Sequence, residues 1–227
     1  MPQCLEPRLD VLPEAQQQIW ASLSAAPRLS FVLYGGTAIA LHLGHRQSLD
    51  FDFFRAEPLD KNELREAFAF LADATVLQDA PDTLVVLARL PSGDVKVSFF
   101  GGIGFGRINE PQRTRDGTLL VASLDDLMAT KLKAILDRAD AKDYHDIARM
   151  ISAGVSLAVG RAASNACSAG NRHKFCAPSD ISKTATCPRF PRPIRSCCET
   201  HGIACSNYRM SESGSLAVPL GKCADAQ

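Results

Sequence analysis

The chain has 227 residues, 46% of them hydrophobic, and 25 Lys+Arg balance 25 Asp+Glu to a formal net charge of zero. That composition suits a soluble globule of one or two domains, and no apolar run nears the ~18 residues needed to cross a bilayer. The N-terminus, with Glu6, Asp10 and Glu14, lacks the apolar h-region of a secretory signal, so a cytoplasmic protein with no membrane contact is expected.

In chain order, Pro13–Ala25 reads as a helix with Ile19, Trp20 and Leu23 on one side, and Leu29–Leu33 as a buried strand. Gly35-Gly36 turns the chain into a short helix, Gly36–Leu43. Leu49–Phe54 reads as a second strand with Leu49, Phe51 and Phe53 toward the core, which leaves Asp50 and Asp52 together on the other face. Asp60 and Glu63 have capping-box spacing for a helix through Leu71. Leu84–Leu90 and Val95–Phe100 are strands, joined as a hairpin by the turn Pro91-Ser92-Gly93-Asp94. A Gly/Arg/Pro-rich loop (Gly101–Gly117) and a short strand at Leu119–Val121 follow. Ser123-Leu-Asp-Asp126 opens a helix whose apolar stripe is Leu124, Leu127, Met128, Leu132 and Ile135. Lys131 falls on that stripe, and Arg138 one heptad further on. Ala141–Ser152 is the next helix, with Tyr144, Ile147, Ala148 and Ile151 inward and Asp143 and Asp146 bordering them.

Two of these features carry chemistry together. A glycine turn opening a helix lets backbone N–H groups approach a triphosphate closely, with the positive end of the helix dipole behind them. Acids two apart on a strand share a face, with Cα atoms about 6.5–7 Å apart, and converging carboxylates suit Mg²⁺. Either feature alone is common as mere structure; here they are separated by thirteen residues and flanked by apolar ones. Lys131 has two readings, a lysine that snorkels to the rim or one that reaches phosphates as a compact donor. Asp143 and Asp146 are read either as a solvated helix start or as acids facing the same cleft. His42 reads as a packed or hydrogen-bonded residue, His45 and His145 receive no role, and no histidine metal site is indicated.

The run YGGTAIALHLGHRQSLDFDFF resembles the first motif of the AbiEii/AbiGii toxin family of nucleotidyltransferases, Gly-Gly/Ser…Arg-x-Ser/Thr-x-Asp-x-Asp, on Gly35, Gly36, Arg46, Ser48, Asp50 and Asp52. DLMATKLKAILDRADAKDYHDI resembles a further motif of that family, and carries functional positions onto Lys131, Asp143 and Asp146. The resemblance implies an α/β (α+β) nucleotidyltransferase-like fold, a small mixed sheet flanked by helices, over residues 1–160. It implies transfer of a nucleotidyl group from an NTP to an acceptor hydroxyl, on RNA or tRNA, by the toxin of a toxin–antitoxin or abortive-infection system with a separately encoded antitoxin. Asp50 and Asp52 would hold Mg²⁺. Gly35, Gly36 and Thr37 would cradle the triphosphate, with Arg46, Ser48 and Lys131 beside it, and Asp143 or Asp146 would orient or deprotonate the acceptor. The open alternatives are a small-molecule (aminoglycoside-type) nucleotidyltransferase and a non-catalytic nucleotide-binding protein. Nucleotidyltransferases of this fold commonly place a third carboxylate on a later strand, and Ser98 stands where it is expected.

The texture changes after residue 160. Residues 1–166 carry 17 Lys+Arg against 21 Asp+Glu, so they offer no electrostatic footprint for nucleic acid, whereas residues 167–227 carry 8 against 4. Seven of the eight cysteines lie beyond residue 166, where only eight of 61 residues are Leu, Ile, Val or Phe. A disulfide framework, a zinc site on Cys197, Cys198, His201 and Cys205, or a shifted reading frame each account for part of this. A disordered or frame-shifted tail over 161–227 is the expectation.

Overall fold

The computed structural model describes residues 4–104, 106–138 and 140–168, all within the unit Met1–Thr184. The expectations about the cysteine-rich tail beyond Ser168 lie outside the described residues. The strands are β1 (Val32–Tyr34), β2 (Asp50–Phe54), β3 (Thr75–Ala80), β4 (Thr83–Leu90), β5 (Gly93–Phe100), β6 (Gln112–Arg113) and β7 (Leu120–Val121). They form one sheet in the order β3-β4-β5-β2-β1-β7-β6. It is mixed: β2 runs parallel to β5 and β1 to β7, and the other pairs are antiparallel. The helices are α1 (Glu14–Ile19), α2 (Gly35–Leu43), α3 (Lys61–Ala67), α4 (Leu124–Asp137), α5 (Ala141–Ser152) and α6 (Leu157–Ser168). This is the α/β architecture, a mixed sheet flanked by helices, that the sequence implies. No helix among the described residues is long and apolar enough to cross a membrane.

The core is built on phenylalanine. Period-two alternation on β2 buries Phe51 and Phe53, and Phe99 of β5 meets Phe53, Phe31 and Phe68 at ring-centroid distances of 5.6, 5.3 and 5.1 Å. Offset and edge-on aromatic pairs of this kind add about 0.5–1.5 kcal/mol each beyond area burial. Because β2 gives its aromatic face to the core, its acids are left on the other face.

Several boundaries differ from the sequence reading. Leu29 ends a short 3₁₀ turn (Ala26–Leu29) entered at Pro27, and Ser30 then takes a left-handed φ of 60°, so the chain bends before β1 begins. Leu49 precedes β2 and is 67% exposed rather than buried, since the pleat that would aim it inward starts one residue later. Beyond α1 the helix tightens to 3₁₀ over Trp20–Leu23, still burying Ile19, Trp20 and Leu23. Asp60 caps α3 by accepting from the N–H groups of Asn62 and Glu63, but Glu63 accepts from Arg55 instead of closing the box. α3 stops short of Leu71 because Phe68 turns extended (φ −120°, ψ 94°) and sends its ring against Phe99. α5 has its expected bounds but a different inward face: Asp143, Asp146, Ile147 and Met150 are buried, while Tyr144 is 52% exposed and Ala148 and Ile151 are exposed. β3 and β6 were not legible as strands. α6 lies on α4, with Gly160 against Met128 and Leu132 so closely that a β-carbon there would collide.

Candidate active site

The glycine turn is set by what crosses it. Gly35 has φ +75°, and a β-carbon on it would stand 2.7 Å from Asp52 Oδ2. A β-carbon on Gly36 would meet Arg46 Nη2 at 2.5 Å and Ser48 Oγ at 2.9 Å. Both glycines are therefore required by close approach: the first because α2 starts against the acid strand, the second because the α2–β2 loop folds back over the turn. No side chain of the N-cap residue caps α2, so its first N–H groups keep their capacity for an external acceptor. Thr37 is buried, and its hydroxyl donates to the Asp50 carbonyl at 2.5 Å, tying the helix start to β2. Thr37 thus positions the acid strand.

On the half-buried face of β2 the parallel register sets Asp50 opposite Lys96 and Asp52 opposite Ser98 of β5. Burial pushes the Asp52 carboxyl up; a bond from the Ser98 hydroxyl works against this, and repulsion from Asp50 adds to it. Lys96 Nζ lies 3.0 Å from Asp50 Oδ2, both side chains remaining about two-fifths exposed at 39% and 41%. Two carboxylates on one face and a glycine turn kept open beside one of them are features a divalent cation can use, while the ammonium drawn to the other carboxylate occupies that charge in its place. The donor set fits Mg²⁺, which takes one or two carboxylates and fills the rest of its octahedron with water and phosphate oxygen.

α4 and α5 bring a buried charge network together within electrostatic reach of Asp52. Lys131 Nζ lies 2.6 Å from Asp143 Oδ1 and 2.9 Å from Asp146 Oδ2. Arg46 grips Asp146 with both Nε (2.7 Å) and Nη2 (2.8 Å), His45 Nε2 meets Asp146 Oδ1 at 2.7 Å, and Arg138 Nε meets Asp143 Oδ2 at 3.1 Å. Both carboxylates are 0% exposed. Burial alone would raise the Asp146 carboxyl, but the bonds from Arg46, His45 and Lys131 outweigh it and hold the group well below the usual carboxylate range. Asp143 is likewise lowered, by Lys131 and Arg138 against burial. Carboxylates so placed make poor proton acceptors, so the geometry speaks against Asp143 or Asp146 as the base and for both as holders of cations. Lys131, 7% exposed, does not snorkel; its charge and that of Arg138 both act on Asp52.

The histidines divide. His42 Nε2 meets the Ala122 carbonyl at 2.9 Å and is packed, as read from the sequence. His45 belongs to the network, which the sequence reading missed; burial lowers its pKa although Asp146 opposes this. His45, His145 and Asp146 bring three ligand-type atoms within 4.8 Å of one another. Both Asp146 oxygens are held by cationic groups there, so a metal would meet Arg46 and Lys131 at close quarters. That crowding disfavours a cation at the histidine cluster. Lys96 is the other residue missed; its face was visible from period two, but not which residue of β2 it would meet.

Residues 19–188 match the model of a family described as "Nucleotidyl transferase AbiEii toxin, Type IV TA system". An uncharacterized protein of Aquifex aeolicus (strain VF5), aq_aa25, is 32% identical over 119 residues, 52% of this chain and 55% of that one. The chain thus spans about half the length of that curated relative. A crystal structure described as a nucleotidyltransferase from H. pylori is 21% identical, with a TM-score of 0.46 over 59% of this chain and 63% of that one. The crystal structure of ANT(2")-Ia in complex with adenylyl-2"-tobramycin is 14% identical, with a TM-score of 0.49 over 67% of this chain and 96% of that one.

Proposed function

The chain belongs to the AbiEii family of nucleotidyl transferase toxins, and from that premise we propose that it moves a nucleotidyl group from an NTP to a hydroxyl of RNA, with tRNA as the leading acceptor. The observation that carries this reading is the approach of the Gly35 turn to within a β-carbon's reach of Asp52, with Asp50 on the same strand face. The acceptor oxygen bonds to the α-phosphorus, the bond to pyrophosphate breaks, and the hydroxyl proton leaves to water.

Asp50 and Asp52 would hold the cation, and the Ser98 hydroxyl steadies Asp52. Magnesium, when bound there, supplies charge neutralisation for the phosphates and an aligned in-line geometry. The N–H groups at Gly35 and Gly36 receive phosphate oxygens at the α2 N-terminus, and Thr37 keeps that end of the helix fixed to β2. Lys131 and Arg46 supply positive potential, Ser48 lines the loop against Gly36, and Asp143 and Asp146 keep the two cations aimed. The proposed catalytic domain spans residues 1–160. The reading places the protein in the cytoplasm with its substrates, and its partner is a separately encoded antitoxin.

The test is incubation with each labelled NTP, Mg²⁺ and total RNA. Label should enter RNA, and Asp50→Asn and Asp52→Asn should each abolish it. Near-normal labelling by both variants would overturn the mechanism. Label appearing only on an added aminoglycoside would move the acceptor to a small molecule, and nucleotide binding without transfer would make this a binding protein.

A further inference from the structure

We propose that Lys96 is a built-in counter-ion of Asp50, which a divalent cation must displace, so that cation and nucleotide bind together rather than one at a time. This rests on the reading of Asp50 and Asp52 as the metal pair. The parallel register of β2 and β5 fixes Lys96 directly opposite Asp50, and its ammonium reaches Oδ2 at 3.0 Å. It stands where the positive charge of a cation is wanted.

Charge accounting on this face explains the consequence. Asp50 and Asp52 repel each other, and the Lys96 charge acts on Asp52 as well as pairing with Asp50. One ammonium therefore offsets half of the negative charge that attracts a metal. An incoming cation must break the pair and leave the ammonium beside itself, a like charge at short range. The pair is about two-fifths exposed, so it opens readily. With a triphosphate present, the released ammonium has a new anionic partner in the same cleft, and the penalty on the cation falls. In the absence of nucleotide, Lys96 weakens the hold of the site on metal. Ser98 contributes by being neutral: a carboxylate at that position, opposite Asp52, would restore the attraction that Lys96 cancels.

The experiment is Mn²⁺ binding to the full nucleotide-free chain, followed by the electron paramagnetic resonance of free Mn²⁺, at fixed ionic strength. Lys96→Met keeps the aliphatic stem and removes the charge; it should bind Mn²⁺ about ten-fold more tightly than the parent. A non-hydrolysable ATP analogue should tighten Mn²⁺ binding more in the parent than in Lys96→Met. Asp50→Asn should bind weakly, and adding Lys96→Met to it should recover little. Lys133→Met, exposed on α4, controls for net charge and should change nothing. If Lys96→Met binds no more tightly than the parent while Asp50→Asn has lost Mn²⁺, the counter-ion is disproved and the metal pair stands. Equal tightening by Lys133→Met also overturns it, as a net-charge effect. If Asp50→Asn and Asp52→Asn both bind Mn²⁺ as the parent does, the metal pair itself is wrong and the counter-ion falls with it.

Discussion

Asp52 is held in the fold against its own preference. Burial pushes its carboxyl above the ordinary range, with Asp50 adding to the shift and Ser98 opposing it. A carboxyl whose folded pKa exceeds its unfolded value favours the folded state below the unfolded pKa, near 3.9, and that advantage is lost as pH rises through the folded value. At neutral pH the charged group is therefore a cost to stability. Asp52→Asn should raise the melting temperature at pH 7, and the gain should shrink toward pH 4, while transfer is lost. Melting curves of both proteins across that range check the sign; a variant less stable than the parent at pH 7 would refute it. Stability surrendered for function is common where charge is concentrated for chemistry.

At the scale of elements, α4 and α5 are joined by charge as much as by apolar packing. Lys131 bridges Asp143 and Asp146 of α5. Breaking a buried pair by deleting one partner costs about 3–5 kcal/mol, and Arg46 and Arg138 still hold the orphaned acids, so Lys131→Met should fall at the lower end. That corresponds to a melting temperature lower by about 6–12 °C for a domain of this size. Lys133→Met, on the exposed face of the same helix, should stay within about 0.5 kcal/mol. Equal melting of Lys131→Met and the parent would mean that the bridge contributes nothing. The bounds of α5 were legible, since Asp140 caps it and its composition is helical. Its rotation was not. Counting apolar residues favours Tyr144, Ala148 and Ile151, but the winning face is set by cations from elsewhere, Arg46 lying about a hundred residues earlier. The acid face of β2 was legible because alternation is local, whereas the Asp50–Lys96 pairing depends on which strands become neighbours. β3 escaped notice because it is a largely exposed edge strand with no alternation to read.

At the scale of the whole molecule, the first turn of chain stitches distant parts together. The Leu5 N–H donates to the Arg113 carbonyl, the Arg115 N–H to the Leu5 carbonyl, and the Arg8 N–H to the Leu41 carbonyl at the end of α2, at 2.9, 2.9 and 3.0 Å. Leu5 and Leu12 are buried in the main core. Burying a leucine contributes about 1.5–3 kcal/mol, so starting the chain at Pro13 should cost about 3–6 kcal/mol before the lost hydrogen bonds are counted. Calorimetry of the shortened protein decides it, and an unchanged transition would show that this segment is ornamental. At the other end of the described chain, the missing β-carbon at Gly160 lets α6 close on α4. Met128 and Leu132, which receive α6 there, flank Lys131 on α4. The residue that lets α6 seat on α4 is thus neutral and without a side chain. A bulkier side chain at that spot would have to push Met128 aside or part the two helices, one turn from Lys131, while every charged residue of the cleft is still present.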